Sequence, residues 1–231
     1  MAAPAPQLTA AVPPPPFRVF LLSPADCSGK RARLLQGEGT DSDLARRLRE
    51  RDGAPLGEVF SFVSSLYFRG KLAYARAFAR PPRGASGVHV ITPCDGLRAP
   101  DSPLRLQDLR RYGGVPVDPD EERYRRPLLR DLQALAPAWT AAEVVLLGSI
   151  ASGKYGELLT SVLGARLVFP ADFVGRGDMS RGGLMMRCVQ EGRELPYLPL
   201  LGAERRGPRP ARLPPVARGG YPKVLSSADG P

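Results

Sequence analysis

Short apolar runs separated by polar, glycine- and proline-bearing segments set the rhythm of this chain. The run FRVFLL, Phe17–Leu22, is halted by Ser23-Pro24 and predicts a buried strand. Equivalent runs follow at GVHVI (87–91), EVVLLG (143–148) and ARLVFP (165–170), and a fifth strand is expected at GLMMRCV (183–189). Helical spacing fills the intervals. A short helix follows the first strand within ADCSGKRARLLQ, and a second covers 41–52, capped by Asp41 or Ser42 and ended by Gly53. Residues 55–82 are mostly helical, with Val59, Phe62, Val63 and Leu66 on one face and a break expected at Arg69-Gly70. Residues 102–126 look loop-rich, punctuated by Gly113-Gly114. DEERYRRPLLRDLQALAP then forms an amphipathic helix with acids at its start, where the helix dipole favours them, and 155–163 forms another, closed by Gly164. Strands alternating with helices predict an α/β three-layer sandwich around a mainly parallel sheet of four to five strands.

Composition narrows the picture. In 231 residues, 43% of them apolar, there is enough material for one well-buried domain. We place that domain at 17–201, between a Pro/Ala-rich tail at 1–16 and an Arg/Pro/Gly-rich tail at 202–231, both expected to be disordered. The first residues lack the basic start of a signal peptide, and no apolar run approaches a bilayer span, so a cytoplasmic protein without a membrane partner is expected. Cys27, Cys94 and Cys188 are odd in number and far apart, which supports neither a disulfide framework nor a metal site. No cofactor is expected. The net charge is +10, and only Lys30, Lys71, Lys154 and Lys223 among the 33 basic residues are lysine. A GC-rich genome writes such an arginine-rich chain without functional demand, yet the guanidinium fork also suits phosphates, so a nucleic acid or nucleotide is the expected partner.

Gly148, Gly153 and Lys154 in GSIASGKYGELL have the spacing of a Walker A phosphate loop, but Tyr155 stands where a Ser or Thr would hold the metal. This leaves a degenerate NTPase loop as one reading. A strand-to-helix turn whose backbone N–H groups attract an anion is the other. Three further loops follow predicted strands, on the edge where α/β folds place ligands. They offer Asp26, Ser28 and Lys30 after the first strand and Thr92 with Asp95 after the second; Arg176, Gly177, Asp178, Ser180 and Arg181 follow the fourth. With Gly148, Ser149, Gly153 and Lys154 they make up the candidate anion- and substrate-binding set. His89 lies mid-strand between Val88 and Val90, a position that favours a core histidine over a base, so hydrolysis by a Cys/His or Ser/His pair is disfavoured.

The order FRVFLLSPADCSGK, then a helix ending at Ala136-Pro137, an apolar strand and Leu147-Gly148 opening a helix, resembles the uracil-DNA glycosylase superfamily. The chain is also similar to bacterial uncharacterised proteins of related α/β core, whose SxLYxxxxxYA helix and GL…PD loop are echoed at Ser65–Ala75 and Gly96–Asp101. The glycosylase resemblance implies hydrolysis of an N-glycosidic bond, with Asp26 activating water. Arg176 or Arg181 would stabilise the leaving base in place of a histidine this chain lacks. A non-catalytic module that grips an anionic ligand on the same fold is the alternative.

Overall fold

The computed structural model describes residues 17–150, 155–203, 207–211 and 213. The two predicted tails lie mostly outside these residues, as do Gly153 and Lys154.

Its central sheet has six strands in the order β4-β3-β1-β6-β7-β8: β1 (Phe17–Leu22), β3 (Val88–Ile91), β4 (Leu97–Arg98), β6 (Ala142–Leu147), β7 (Leu167–Pro170) and β8 (Tyr197–Pro199). The inner four are parallel, and the two-to-three-residue edge strands β4 and β8 are antiparallel. A separate minimal sheet pairs β2 (Ala54–Pro55) with β5 (Pro103–Leu104). The helices are α1 (Lys30–Gln36), α2 (Asp43–Arg49), α3 (Leu56–Phe78), α4 (Leu106–Gly113), α5 (Glu122–Leu135), α6 (Gly156–Leu163) and α7 (Asp178–Glu191).

Strand alternation sorts the core into two slabs. Phe20, Leu22, Val145, Leu147 and Val168 face α1, α2, α3, α4 and α7. Val19, Leu21, Val144, Leu146 and Phe169 face α5, α6 and the fully enclosed Trp139. Helices therefore cover both faces, which is why the inner strands read as unbroken apolar runs. His89 packs at 5.1 Å from the Trp139 ring, with Nε2 3.1 Å from the Ser86 carbonyl oxygen. Burial pushes its pKa below the ordinary value, consistent with a neutral core histidine. At the N-terminal end of β1, buried Arg18 meets Glu143 and Glu194, each at 2.6 Å, and lies over the Tyr197 ring.

Four local expectations need correction. Residues 106–113 form α4 inside the segment expected to be loop; Asp108 accepts from the Arg105 N–H and starts it. Ser42 supplies the α2 cap, accepting from the Ala45 N–H, and the helix is shorter than 41–52. The break in α3 falls at Ser65 (φ 52°, ψ −133°) and not at Arg69-Gly70. Finally, GLMMRCV is helix and not strand: it belongs to α7, and the Gly/Arg-rich segment before it is only partly loop.

The last two corrections share one cause. Gly70 on α3 and Gly182 on α7 touch through their backbones: a Cβ on Gly70 would stand 2.7 Å from the Gly182 carbonyl oxygen, and one on Gly182 would stand 2.7 Å from that of Leu66. These glycines are inside helices because the helices cross there. Gly182→Ala is expected to destabilise the protein by about 2 kcal/mol or more, since backbone faces backbone on both sides. Urea unfolding measures this; an unchanged midpoint would show that the crossing can relax.

Candidate functional site

β1 hands the chain to β3 on one side and β6 lies on its other side, so the crossovers diverge between β1 and β6. Ligand crevices in α/β sheets open at such a switch point, beyond the strand C-termini. A cleft of about 730 Å³ opens there. Its walls are the β1 loop (Ser23–Ser28), the α3 residues Ser64 and Tyr67, Pro93, the segment 112–118 at and beyond the end of α4, Ser149 and Tyr155, and Asp178 at the start of α7.

Asp26 lies exposed in this wall. Its Oδ1 accepts from the Ser28 N–H at 3.0 Å and from the Ser28 hydroxyl at 2.7 Å, a local turn that fixes the carboxylate. Lys30 is exposed at the start of α1. Asp178 is exposed in the first turn of α7, after the N-cap Gly177, so the structure brings Asp26 and Asp178 to one cleft. Thr92 and Asp95 are placed differently. Thr92 is wholly buried, donating to the Gly96 carbonyl and accepting from the Asp95 N–H. Asp95 accepts from Arg111 and from the Tyr112 hydroxyl; burial opposes ionisation, but these donors hold its carboxyl below the usual range. Both secure a turn.

The two arginines are also committed elsewhere. Arg181, 6% exposed, donates Nε and Nη2 to the Phe173 carbonyl at 3.2 and 3.0 Å. Arg176 donates to the Asp172 and Ala211 carbonyls and to the Ser180 hydroxyl. Neither lines the cleft. Their forks tie down the turn before α7, so the role of leaving-group electrophile passes from them.

Gly148 has a reason distinct from phosphate binding. A Cβ there would lie 3.0 Å from Ser23 Cβ and 3.3 Å from Ser23 Oγ, so the glycine leaves room for the serine on the neighbouring strand end. Tyr155 is the N-cap of α6, buried, with its phenol against the Ser23 hydroxyl. Burial pushes that phenol up to about 12, and the Ser23 contact opposes the rise.

The most unusual group under the cleft is Lys71, which sequence reasoning did not select. It is completely buried, and Nζ lies 2.6 Å from the Ser23 carbonyl oxygen and 2.9 Å from Ser23 Oγ. The amine rests over the Tyr67 and Phe68 rings, 4.5 and 4.8 Å from their centroids. Among the described residues no carboxylate pairs with it. Desolvation lowers its pKa to about 7, with Asp178 opposing and Arg181 adding to the shift. The neighbouring Tyr67 hydroxyl, also buried in the cleft wall, sits beside Arg181 without a hydrogen bond of ordinary geometry. A lysine one residue after a contact glycine carries no sequence signal of burial, which is why it escaped notice. Cys27, by contrast, is an inert neighbour: burial pushes its thiol up to about 12.

Among the described residues no cluster of His, Cys, Asp or Glu could hold a metal ion, and no helix is long and apolar enough to cross a membrane. In comparisons with family models, curated proteins and solved structures, nothing matches this chain.

Lys71 makes stability depend on pH in a definite direction. Between pH 7 and 10.5 the unfolded chain holds a proton on this amine that the folded chain has lost, so folding gains stability as pH rises through that window. From pH 7 to 9 the stability difference between the parent and Lys71→Met should therefore grow by roughly 2 kcal/mol in the parent's favour. Denaturant midpoints at both pH values provide the comparison; a constant difference would mean the buried amine stays charged.

Proposed function

We propose that the switch-point cleft binds a nucleotide unit, in a nucleic acid or free, and that the protein hydrolyses its N-glycosidic bond. One observation carries the reading: Asp26 and Asp178, from separate elements, line one cleft at the topological switch point. Glycosidic hydrolysis characteristically uses paired carboxylates, one to activate water and one to act at the breaking bond. Asp26, held by its own turn, takes the first role. Asp178 takes the second. Lys30, Arg31 and Arg33 lie exposed on α1, the helix that begins where the Asp26 loop ends, and give a phosphate backbone a cationic approach. Tyr155 and Tyr67 offer aromatic walls for a base taken out of its stack.

A panel of free nucleotides and of oligonucleotides carrying modified bases tests this, with base release read by chromatography and abasic sites by alkaline cleavage. We expect release from at least one member, and an Asp26→Asn variant slower by about 100-fold or more. Absence of release across the panel, or equal rates in the variant, would remove the reading. The remaining alternative is a non-catalytic anion-binding module, which would bind panel members with a steep salt dependence and release nothing.

A further inference from the structure

The Ser23–Lys71 pair has no part in glycosidic hydrolysis as proposed above, yet Ser23 lines the same cleft and Lys71 lies buried behind it. Four features of it require explanation. Ser23 follows the last residue of β1 and is held in line by its N–H donating to Leu147. Its hydroxyl lies 2.9 Å from Lys71 Nζ, and the residue lines the cleft although only 4% exposed. Gly148 clears the space the hydroxyl occupies. Tyr67, also in the cleft wall, presents a buried hydroxyl without a hydrogen bond of ordinary geometry.

A purely structural tether for the strand end would be met by a neutral side chain. An ammonium here uses donors on one serine, faces two aromatic rings and lacks a paired carboxylate, so its desolvation goes largely uncompensated. A neutral amine fits the same geometry better. One N–H donates to the Ser23 carbonyl, and the lone pair is free to accept the Ser23 hydroxyl proton. Buried lysines adjoining a nucleophile are a known route to activation, because desolvation makes the amine a base near neutral pH.

We propose that Ser23 is a nucleophile, that Lys71 is its general base, and that the cleft hydrolyses a small carboxylic ester. Ser23 Oγ attacks the acyl carbon while its proton passes to Lys71 Nζ. The C=O π pair moves to oxygen, and the Tyr67 and Tyr155 hydroxyls in the cleft wall supply the donors for that oxyanion. On collapse the ester C–O bond breaks and the departing alkoxide takes the proton from Lys71, leaving Ser23 acylated. Water then attacks the acyl-serine with Lys71 again accepting a proton, and that proton returns to Ser23 Oγ as the acid leaves. No oxidant, metal or second substrate is required. Asp26 and Asp178 at the rim favour esters bearing hydroxyl or ammonium groups.

The test uses the full chain with two probes, a fluorophosphonate and p-nitrophenyl acetate. The fluorophosphonate forms an Oγ–P bond as fluoride leaves, and mass spectrometry with peptide mapping locates the adduct. We expect one adduct per chain on Ser23, none in Ser23→Ala, and labelling at least 100-fold slower in Lys71→Met, with circular dichroism showing that variant folded. The p-nitrophenyl acetate rate should rise with pH through about 7, as the amine loses its proton. Groups around the pair include Tyr67 on α3, Tyr155 at α6, Asp178 and Arg181 on α7, and Asp26 and Cys27 on the β1 loop. Tyr155 and Cys27 are pushed up to about 12, and burial raises Tyr67 as well, well away from that rise. No adduct on Ser23, or labelling of folded Lys71→Met at the parent rate, would overturn the proposal. If Lys71→Met does not fold, the Ser23 adduct and the pH profile of the parent decide it. Both probes are read without any base release, so failure here and failure of the glycosidic reading are distinguishable.

Discussion

The crossing of α3 over α7 at Gly70 and Gly182 is the contact on which the cleft depends. With no side chain at either glycine, the two backbones approach closely enough that a methyl group on either would collide with a carbonyl of the other. Close approach there brings Lys71, the residue after Gly70, under the end of β1, and sets Tyr67 beside Arg181. It also carries Asp178, one turn before Gly182, into the cleft wall. The kink at Ser65 belongs to the same geometry. A non-glycine residue at φ 52° costs on the order of 1–3 kcal/mol, and it lies directly before the stretch of α3 that meets Gly182.

The two ends of β1 solve the problem of a buried cation in opposite ways. At the N-terminal end Arg18 has two carboxylates, and their hydrogen bonds override its desolvation, so its pKa is raised and the charge is kept. That group joins β1, β6 and the segment entering β8. At the C-terminal end Lys71 has only a carbonyl, a hydroxyl and two ring faces, and desolvation wins. Both contacts bridge elements distant in sequence, but Arg18 has every reason to be structural. Lys71 lacks the partners that would make it so, and it alone abuts a hydroxyl lining a cleft.

Much of the architecture was legible because parallel strands covered on both faces announce themselves. The runs at Phe17–Leu22, Val88–Ile91, Ala142–Leu147 and Leu167–Pro170 are apolar at nearly every position, and all four pair in parallel. The rule placing ligands at strand C-termini located the Asp26 loop, Ser149 and Asp178 in one cleft. What the sequence concealed was the reason for its glycines. Gly182 and Gly183 resemble loop punctuation, and Leu184 to Val189 is apolar enough to pass for a strand. In fact α7 is buried around much of its circumference, and periodicity cannot separate such a helix from a buried strand. Thr92 and Asp95 were sound guesses by residue type, but the Thr92 hydroxyl is spent on its own turn and the Asp95 carboxylate on Arg111 and Tyr112. Arginine's appetite for carbonyl oxygens did the same to Arg176 and Arg181.

Gly148 shows how a motif can be correct in spacing and different in cause. Its lack of a side chain makes way for Ser23 Oγ, and the tyrosine that spoils the Walker pattern is the same one whose phenol lies against that hydroxyl. Taken with Lys71, three places converge on a single serine: the residue after β6 yields space, the N-cap of α6 supplies a phenol and α3 supplies an amine. The serine is therefore constrained on several sides while its access to the cleft is preserved. A residue that merely ended a strand would need none of these accommodations, since Pro24 already stops the chain from continuing in the sheet. The polarity of the cleft follows the same division. Exposed carboxylates stand in its wall, where water reaches them, and the amine lies buried behind Ser23, where water is excluded.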